Sequence, residues 1–289
     1  MKALIFGCNG QDGVYLSNLL KSLNIEVIGI SRNKYDLNKN IHNFDYIREI
    51  IQLHLPEFIF HFSAKSSTSH EYLFENHDSI TNGVLNLLEA VRIFCGKTKV
   101  FISGSALQFE NNGNPIDENK PFHASSAYSL ARINSIYIAR YYREKFNLKI
   151  YVGYLFNHDS PLRGDHHINK FIVNEIKLIK KGQSRKIYIG NLKVKKEFNF
   201  AGDIVNAIWI LINQESIYEV VIGSGITHSI EDWVNYCFYK SNLDPLEYVF
   251  LKQGFMSEYE ILVSNPYKIK SLGWIPRLNF YQLADLMLE

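Results

Sequence analysis

Short apolar runs alternate with longer amphipathic segments along the first 156 residues of the chain. The runs are short enough for strands buried on both faces, and the longer segments repeat their apolar residues with helical spacing. We predict strands at Ala3–Phe6, Val27–Ile30, Phe58–Phe62, Val100–Ser103 and Lys149–Leu155, and helices at Asp12–Leu23, Phe44–Leu55, Ile80–Phe94 and Ala127–Phe146. This alternation predicts the α/β class, with a doubly wound parallel sheet of the Rossmann type.

The pattern becomes irregular and more polar after residue 156. Predicted helices at Asn169–Lys181, Asp203–Ile212 and Ile230–Lys240 mix with short strands at Lys186–Ile189 and Glu219–Ile222. We therefore predict a Rossmann core in residues 1–156 and a smaller C-terminal α/β substrate lobe mainly in residues 157–289. Later segments, such as those around residues 203–225, are allowed to return to the core. Open α/β sheets bind ligands at the carboxyl ends of their strands, so we expect the lobe to close over a ligand there.

Composition excludes several classes of protein. With 46% hydrophobic and 21% charged residues, the 289-residue chain has an ordinary globular composition. A net charge of +2 gives no reason to predict binding to nucleic acid or to a membrane surface. The three cysteines are far apart and the ten histidines lack metal-ligand spacing, so neither a disulfide framework nor a metal site is predicted. We expect a protein of the cytoplasm.

A glycine-rich loop follows the first predicted strand and opens the first helix. Glycines allow a positive φ and a close approach of the backbone to a pyrophosphate, and a helix N-terminus offers unpaired N–H groups. A strand before the loop and a helix after it are the context that a dinucleotide site requires. The predicted cofactor-binding residues of this loop are Gly7, Asn9, Gly10, Gln11, Asp12 and Gly13.

The end of the second predicted strand indicates which dinucleotide is bound. NAD proteins usually place an acid there for the ribose 2′-hydroxyl, whereas this strand runs into Ser31 and Arg32. An arginine and a hydroxyl would hold a 2′-phosphate, so NADP(H) is favoured over NAD(H). Asp36 and Leu37 are predicted to line the adenine edge, although an aspartate in a loop is often only a turn residue.

Longer motifs resemble a known family. The chain is similar to the GDP-mannose 4,6-dehydratases, which are extended short-chain dehydrogenases/reductases, and the likeness runs nearly end to end. The segments that carry it are Gly10–Leu16, Leu155–Gly164, Gly190–Leu192 with Glu197, Ala201 and Asp203, Thr227–Ser229, and Leu272–Arg277. The segments Gly29–Asn33 and Ile59–Ser67 look at least as much like a sister group, the reductases of GDP-4-keto-6-deoxymannose. Both groups bind NADP(H) and GDP-sugars and act through C4 of the hexose.

The resemblance assigns further binding residues. His158 and Arg163 match positions that contact NADP, and Asn157 matches a substrate-side asparagine. Lys196 stands where the family has an arginine that faces the nucleotide diphosphate, so the charge is kept and the bidentate fork is lost. We also predict Lys170 at the substrate. Ala64, Lys65 and Ser66 are predicted at the cofactor.

The family's catalytic residues are a Ser or Thr, and a Tyr with a Lys four residues later. Ser105 and Tyr128 match the first two, and on a helix positions i and i+4 share a face. The Lys position holds Arg132. A guanidinium can still bond a ribose hydroxyl and favour the phenolate of Tyr128, but its plane and reach differ from those of an ammonium. Tyr128 and Arg132 are therefore predicted at both the catalytic and the cofactor site.

A second departure concerns the reaction itself. The dehydratases carry, two residues after the Ser or Thr, a Glu that removes the C5 proton; here that residue is Leu107. Glu110 is near in sequence, but its side chain is expected to point elsewhere. We therefore favour a 4-keto-6-deoxy sugar reductase over a GDP-mannose 4,6-dehydratase. A non-catalytic protein that binds NADP or a nucleotide sugar is the alternative of another class. The family also implies a homodimer or homotetramer.

Overall fold

The computed structural model describes residues 1–31 and 39–289. Within them, the central sheet has six parallel strands in the order β10-β5-β4-β3-β1-β2. Its strands are β1 (Lys2–Phe6), β2 (Glu26–Ile30), β3 (Phe58–His61), β4 (Lys99–Ser105), β5 (Ile150–Leu155) and β10 (Glu219–Ile222). The predicted parallel Rossmann sheet is confirmed.

Helices cover both faces of this sheet. They are α1 (Gln11–Ser22), α2 (Phe44–His54), α3 (Leu73–Asn76), α4 (Gly83–Phe94), α5 (Ala127–Phe146) and α7 (Ala201–Ile212). Side chains alternate along β1: Leu4 and Phe6 pack with α2, α4 and α5, whereas Ala3 and Ile5 pack with α1 and α7. This two-sided burial explains why the strands appear in the sequence as continuous apolar runs.

The predicted helix Ile80–Phe94 begins differently in the structure. A π-helical segment, His77–Asn82, precedes the regular turns of α4. Ser79 lies in this π-helical segment, and its carbonyl accepts a hydrogen bond from Nε2 of His61 at 3.1 Å. His61 is the last residue of β3 and is fully buried. Sequence periodicity carries no signal for this contact.

The remaining elements form a smaller region around a second core. They are α6 (Ile168–Lys180), α8 (Ile230–Lys240), α9 (Pro245–Tyr248), α10 (Tyr267–Ser271) and α11 (Phe280–Leu288), with β6 (His158–Asp159), β7 (Ile187–Ile189), β8 (Lys195–Glu197), β9 (Asn199–Phe200), β11 (Thr227–Ser229), β12 (Val249–Leu251) and β13 (Ile261–Leu262). In this core the ring of Phe198 stacks on Trp233 with centroids 5.1 Å apart. Between β9 and β11 the chain returns to the central sheet, where α7 packs on α1 and β10 pairs with β5. No helix among the described residues is long and apolar enough to span a membrane.

One buried carboxylate joins three segments of the smaller region. Glu197, at the end of β8, is fully buried. Its Oε1 accepts from the backbone N–H and the hydroxyl of Ser264, both at 2.6 Å. Its Oε2 accepts from the backbone N–H of Ser224 at 2.6 Å and from Asn199 Nδ2 at 3.0 Å. Since the two buried donors of Ser264 have this carboxylate as their acceptor and Ser224 bonds its other oxygen, Glu197 fixes how the loops after β10 and β13 meet β8.

Replacing Glu197 should therefore destabilise the fold. Buried donors left without an acceptor cost roughly 1–3 kcal/mol each, so we expect Glu197→Ala to lower the free energy of unfolding by about 3 kcal/mol or more. Glu197→Gln keeps one acceptor oxygen, so its free energy of unfolding should fall by less. Urea unfolding followed by tryptophan fluorescence measures both. Glu144→Ala, at an exposed position of α5, is the control and should stay within about 0.5 kcal/mol of the parent. Equal stability of the Glu197→Ala and Glu144→Ala proteins would contradict this account.

Candidate active site

The glycine loop lies at the carboxyl end of β1, beside the point where the strand order reverses between β1 and β3. Gly7 has a φ of +87°, which favours glycine. A Cβ on Gly13 would lie 2.4 Å from the Gly7 carbonyl oxygen, so only glycine fits there. The N-cap of α1 is Gly10, and no side chain caps the helix. The loop therefore presents backbone N–H groups in a tight turn, as a pyrophosphate site requires.

The side chains of Gln11 and Asp12 join this loop to the segment after β5. Gln11 Oε1 accepts from the hydroxyl of Ser160 at 2.8 Å, and Asp12 Oδ1 lies 3.0 Å from Nε2 of His158. The other ring nitrogen of His158 donates to the Phe156 carbonyl at 2.7 Å. Motifs nearly 150 residues apart in sequence thus meet as one structural unit.

Asp12 and His158 shift each other's pKa toward the charged forms. Burial alone would lower the pKa of His158, but the charge of Asp12 and its hydrogen bond outweigh burial and raise it. In the same way, burial alone would raise the pKa of Asp12, and His158 lowers it. Each group therefore stabilises the charged form of the other beside the glycine loop.

A first cavity lies at the carboxyl ends of β1, β2 and β3. Of the residues predicted at the cofactor, Ala64 and Lys65 line it, next to Ser31 and Ser63. The predicted residues Arg32, Asp36 and Leu37 lie outside the described residues. Because this cavity adjoins both the glycine loop and the end of β2, it is where the adenosine half of a dinucleotide would be expected.

A second cavity, of about 340 Å³, lies at the carboxyl ends of β4 and β5. It brings together residues from both sequence regions. Among those predicted at the site, it is lined by Asp12, Ser66, Ser105, Tyr128, Arg132, Asn157, His158, Arg163 and Lys196. Lys170 is not part of this lining; its ammonium donates to the Pro161 carbonyl at 2.9 Å.

Ser105 is held at the end of β4 by the turn that follows it. Its backbone N–H donates to Gln108 Oε1 at 2.8 Å, and its hydroxyl oxygen accepts from the backbone N–H of Leu107 at 3.2 Å. The Ser105 hydroxyl proton is therefore available to a ligand oxygen in the cavity.

Tyr128 lies in the first turn of α5, and Arg132 lies one turn later against β4. Arg132 Nε donates to the Tyr128 hydroxyl oxygen at 3.2 Å. Arg132 Nη1 donates to the Ser103 hydroxyl oxygen at 2.8 Å and to the Ser103 carbonyl. The Ser103 hydroxyl in turn donates to the His61 carbonyl at 2.9 Å. The guanidinium thus lies directly beside the phenol, with its position fixed by the sheet.

Two cationic side chains of the smaller region, Lys196 and Arg163, also line the cavity, and we call them its cationic wall. Burial lowers the pKa of Lys196 to about 8, although Asp159 partly opposes this. Arg163 lies 3.4 Å from Asp159 and donates to Nδ1 of His167 at 3.1 Å. Burial, with the charge of Arg163, lowers the pKa of His167 to about 3, so this ring is neutral and accepts that bond. Two cations therefore face the cavity, as an anionic ligand would require.

Sequence reasoning missed several residues of the second cavity. Ser103 could have been found, because it lies two residues before Ser105 on one strand and side chains at i and i+2 share a face. Thr68, His167, Glu258 and Tyr259 also line the cavity. Glu258 and Tyr259 come from a loop near the other end of the chain, and no motif marks them.

Comparison with known proteins identifies the family. The sequence model described as GDP-mannose 4,6 dehydratase matches residues 4–287. The chain belongs to the GDP-mannose 4,6-dehydratase family. One relative in the family, GDP-mannose 4,6 dehydratase 2 of Arabidopsis thaliana, is 30% identical over 99% of this chain and 86% of its own. The GDP-mannose 4,6-dehydratase of Vibrio cholerae is 26% identical over 100% of this chain and 93% of its own. The resemblance deduced from motifs is confirmed.

Solved structures share the fold. The UDP-glucose 4-epimerase of Thermus thermophilus, in complex with NAD, superposes with a TM-score of 0.85 at 20% identity, covering 100% of this chain and 98% of the other. RMD of Pseudomonas aeruginosa, complexed with NADPH, gives 0.88 at 16% identity, covering 99% and 97%. Family and fold together place this chain among the extended short-chain dehydrogenase/reductase enzymes.

Proposed function

We propose that this protein is an NADP-dependent 4,6-dehydratase of a GDP-linked hexose, with GDP-mannose as the first substrate to test. The observation that carries the proposal is the second cavity, where Ser105, Tyr128 and Arg132 face a cationic wall in a chain that matches the family over residues 4–287. This reading replaces the reductase as the leading hypothesis, because the named relatives are dehydratases.

The residues of the glycine loop fit a dinucleotide. The tight turn at Gly7 and Gly13 and the uncapped start of α1 would hold its pyrophosphate. A nicotinamide bound in the second cavity would supply the hydride acceptor and donor. The preference for NADP over NAD rests on the sequence Ser31-Arg32 at the end of the second strand. Of the two solved structures compared above, one is complexed with NADPH and the other with NAD.

Tyr128 and Ser105 supply proton chemistry at the sugar's C4 oxygen. The Tyr128 oxygen, beside the Arg132 guanidinium, accepts the proton of the C4 hydroxyl, and the Ser105 hydroxyl donates to the same oxygen. The Arg132 guanidinium holds the Tyr128 hydroxyl at the cavity, within reach of a sugar hydroxyl, which is the position that a general base requires. Arg132 thereby takes over the place of the family's lysine.

The GDP diphosphate would bind at the cationic wall. Lys196, Arg163 and Asn157 all line the second cavity. A buried ammonium offers a point charge to a phosphate, without the bidentate geometry of an arginine.

A second candidate function, reduction of a 4-keto sugar, is favoured by Leu107. Reduction requires a hydride, a proton donor and an orienting hydroxyl, and it needs no group at C5. Leu107 lines the second cavity where the family's glutamate would lie, and a leucine cannot transfer protons.

The assay that separates these functions uses the purified protein loaded with NADP⁺. With GDP-mannose we expect a 4-keto product lighter by one water, detected by mass spectrometry, with no net change in the cofactor. If the protein leaves GDP-mannose unchanged and consumes NADPH on the 4-keto-6-deoxy sugar, it is a reductase. Tyr128→Phe should lower the rate at least 100-fold, since general-base catalysis typically contributes about 10²–10⁴. A non-catalytic binding protein would lose nothing measurable in this variant.

The affinity for GDP should depend on pH through Lys196. With a pKa near 8, Lys196 is charged at pH 7 and mostly neutral at pH 9, so an anion held by it binds more weakly at pH 9. Because the binding of one proton is linked to the binding of GDP, the affinity can fall by at most about tenfold for each pH unit above the pKa of Lys196. Calorimetric titration with GDP at pH 7 and pH 9 measures it. Lys196→Arg keeps its charge over this range and should show a much smaller change; an equal change in both proteins would assign the pH dependence to another group.

We further infer a dimer that pairs α4 and α5 with the same helices of a second subunit. Their outer faces expose Leu85, Ile93, Tyr137 and Tyr141, with 41–57% of each residue accessible. Apolar residues on two adjacent helices suit a four-helix bundle. Sedimentation should give a dimer or tetramer, and Tyr137→Arg with Tyr141→Arg should give a monomer. Tyr239→Arg, at a still more exposed tyrosine of α8, is the control and should not change the assembly.

A further inference from the structure

Arg132 is a buried cation without a carboxylate partner. Its side chain lies against β4, and none of the ion pairs within residues 1–31 and 39–289 includes it. A buried charge is costly unless an opposite charge or hydrogen bonds compensate it. The position of this guanidinium therefore depends on neutral oxygen atoms.

Two of the three nitrogens of the Arg132 guanidinium are held by such oxygens. Nε donates to the Tyr128 hydroxyl oxygen at 3.2 Å. Nη1 donates to the Ser103 hydroxyl oxygen at 2.8 Å and also to the Ser103 carbonyl. Because the guanidinium is planar and rigid, holding Nη1 also determines where the N–H of Nε points.

The Ser103 hydroxyl is committed to this arrangement by the sheet. It donates its proton to the His61 carbonyl at 2.9 Å. A serine hydroxyl has one proton and two acceptor positions, so the oxygen can only accept on its other side, where Nη1 lies. Strands β3 and β4 pair in parallel at this point, with His61 opposite Ile102, which fixes the hydroxyl relative to the carbonyl.

We propose that Ser103 is a positioning residue of the active site, which holds the Arg132 guanidinium so that its Nε stays on the Tyr128 oxygen. Ser103 acts here through Arg132 and not on the sugar. Dehydration and 4-keto reduction both use Tyr128, so the inference does not depend on which of them the protein catalyses. It rests on the proton-transfer role that the proposed function gives to Tyr128.

The first test compares Ser103→Ala with Ser135→Ala. Ser135 is also buried, but its hydroxyl donates to the backbone carbonyl of Arg132 at 2.7 Å and not to the guanidinium system. Ser103→Ala should lower kcat about 10- to 100-fold with GDP-mannose or with the 4-keto-6-deoxy sugar, whichever the parent converts, since a 1 Å misplacement can cost about 10² in rate. KM and the calorimetric affinity for GDP should stay within about twofold. Ser135→Ala should behave as the parent.

A double-mutant cycle asks whether Ser103 acts through Arg132. Arg132→Met removes the guanidinium and keeps a long side chain, and its own kcat should be low. Adding Ser103→Ala to this variant should change kcat by less than about threefold, because no guanidinium remains to be held. Far-UV circular dichroism and urea unfolding show that each variant compared is folded.

The contact itself can be observed without turnover, by NMR of the protein labelled with ¹⁵N-arginine. The Nε–H signal of Arg132 is assigned by its loss in Arg132→Met. It should move in Tyr128→Phe, which removes its acceptor, and in Ser103→Ala, which releases Nη1. It should keep its position in Ser135→Ala.

Four results would overturn the assignment. Ser103→Ala with the kcat of the parent, or with an unmoved Arg132 Nε–H signal, would show that the guanidinium does not need this serine. Equal losses of kcat in the parent and in the Arg132→Met background would show that Ser103 acts without Arg132. A raised KM with unchanged kcat would make Ser103 a binding residue.

Failure of the proposed function is visible separately, in the parent protein. A parent that converts neither GDP-mannose nor the 4-keto-6-deoxy sugar has no proton transfer at Tyr128 to support, and the catalytic role of Ser103 falls with that function. A parent that is active while Ser103→Ala is equally active refutes Ser103 alone.

Discussion

The site depends on one geometric constraint: parallel strands end at the same edge of the sheet. β1, β3, β4 and β5 are joined side by side in parallel register. The segments that follow them, from the glycine loop to His158, must therefore meet along one line. The reversal of strand order between β1 and β3 opens the crevice in which a ligand can lie. Residues scattered from position 7 to position 163 become neighbours because of this edge alone.

Electrostatics then divides the site into regions with different tasks. At the glycine loop, Asp12 and His158 favour each other's charged forms, and their contact ties two loops together. Beside Tyr128, Arg132 is held by Ser103, so a fixed positive charge lies next to the phenol. At the far wall, Lys196 and Arg163 leave positive charge facing the cavity. A guanidinium has five N–H donors, whereas an ammonium has three, so arginine needs more hydrogen-bond acceptors. The hydroxyl and carbonyl oxygens of Ser103 supply two of them.

The chain also illustrates how a site can differ from its family at two catalytic positions and keep its architecture. Arg132 preserves the charge that the family places beside the tyrosine. Leu107 removes a proton-transfer group from β4's end, and the smaller region presents Glu258 to the same cavity, anchored by Thr68. Because that region folds over the strand ends, side chains distant in sequence line the same cavity.

Local and periodic information in the sequence determined the strands, most helices, the glycine loop and the family. These features repeat at short spacing, so burial and backbone conformation leave a direct trace in residue type. A motif with fixed spacing also predicts Ser105, Tyr128 and Arg132 at one site, and all three line the second cavity. Only the tertiary structure decided that Gln11 and Asp12 bind the loop after β5, that a π-helical segment containing Ser79 contacts His61, and that Lys170 bonds the Pro161 carbonyl and does not line the cavity. It alone brought Glu258 and Tyr259 to the second cavity, because contacts between segments far apart in the chain leave no periodic signal in either segment.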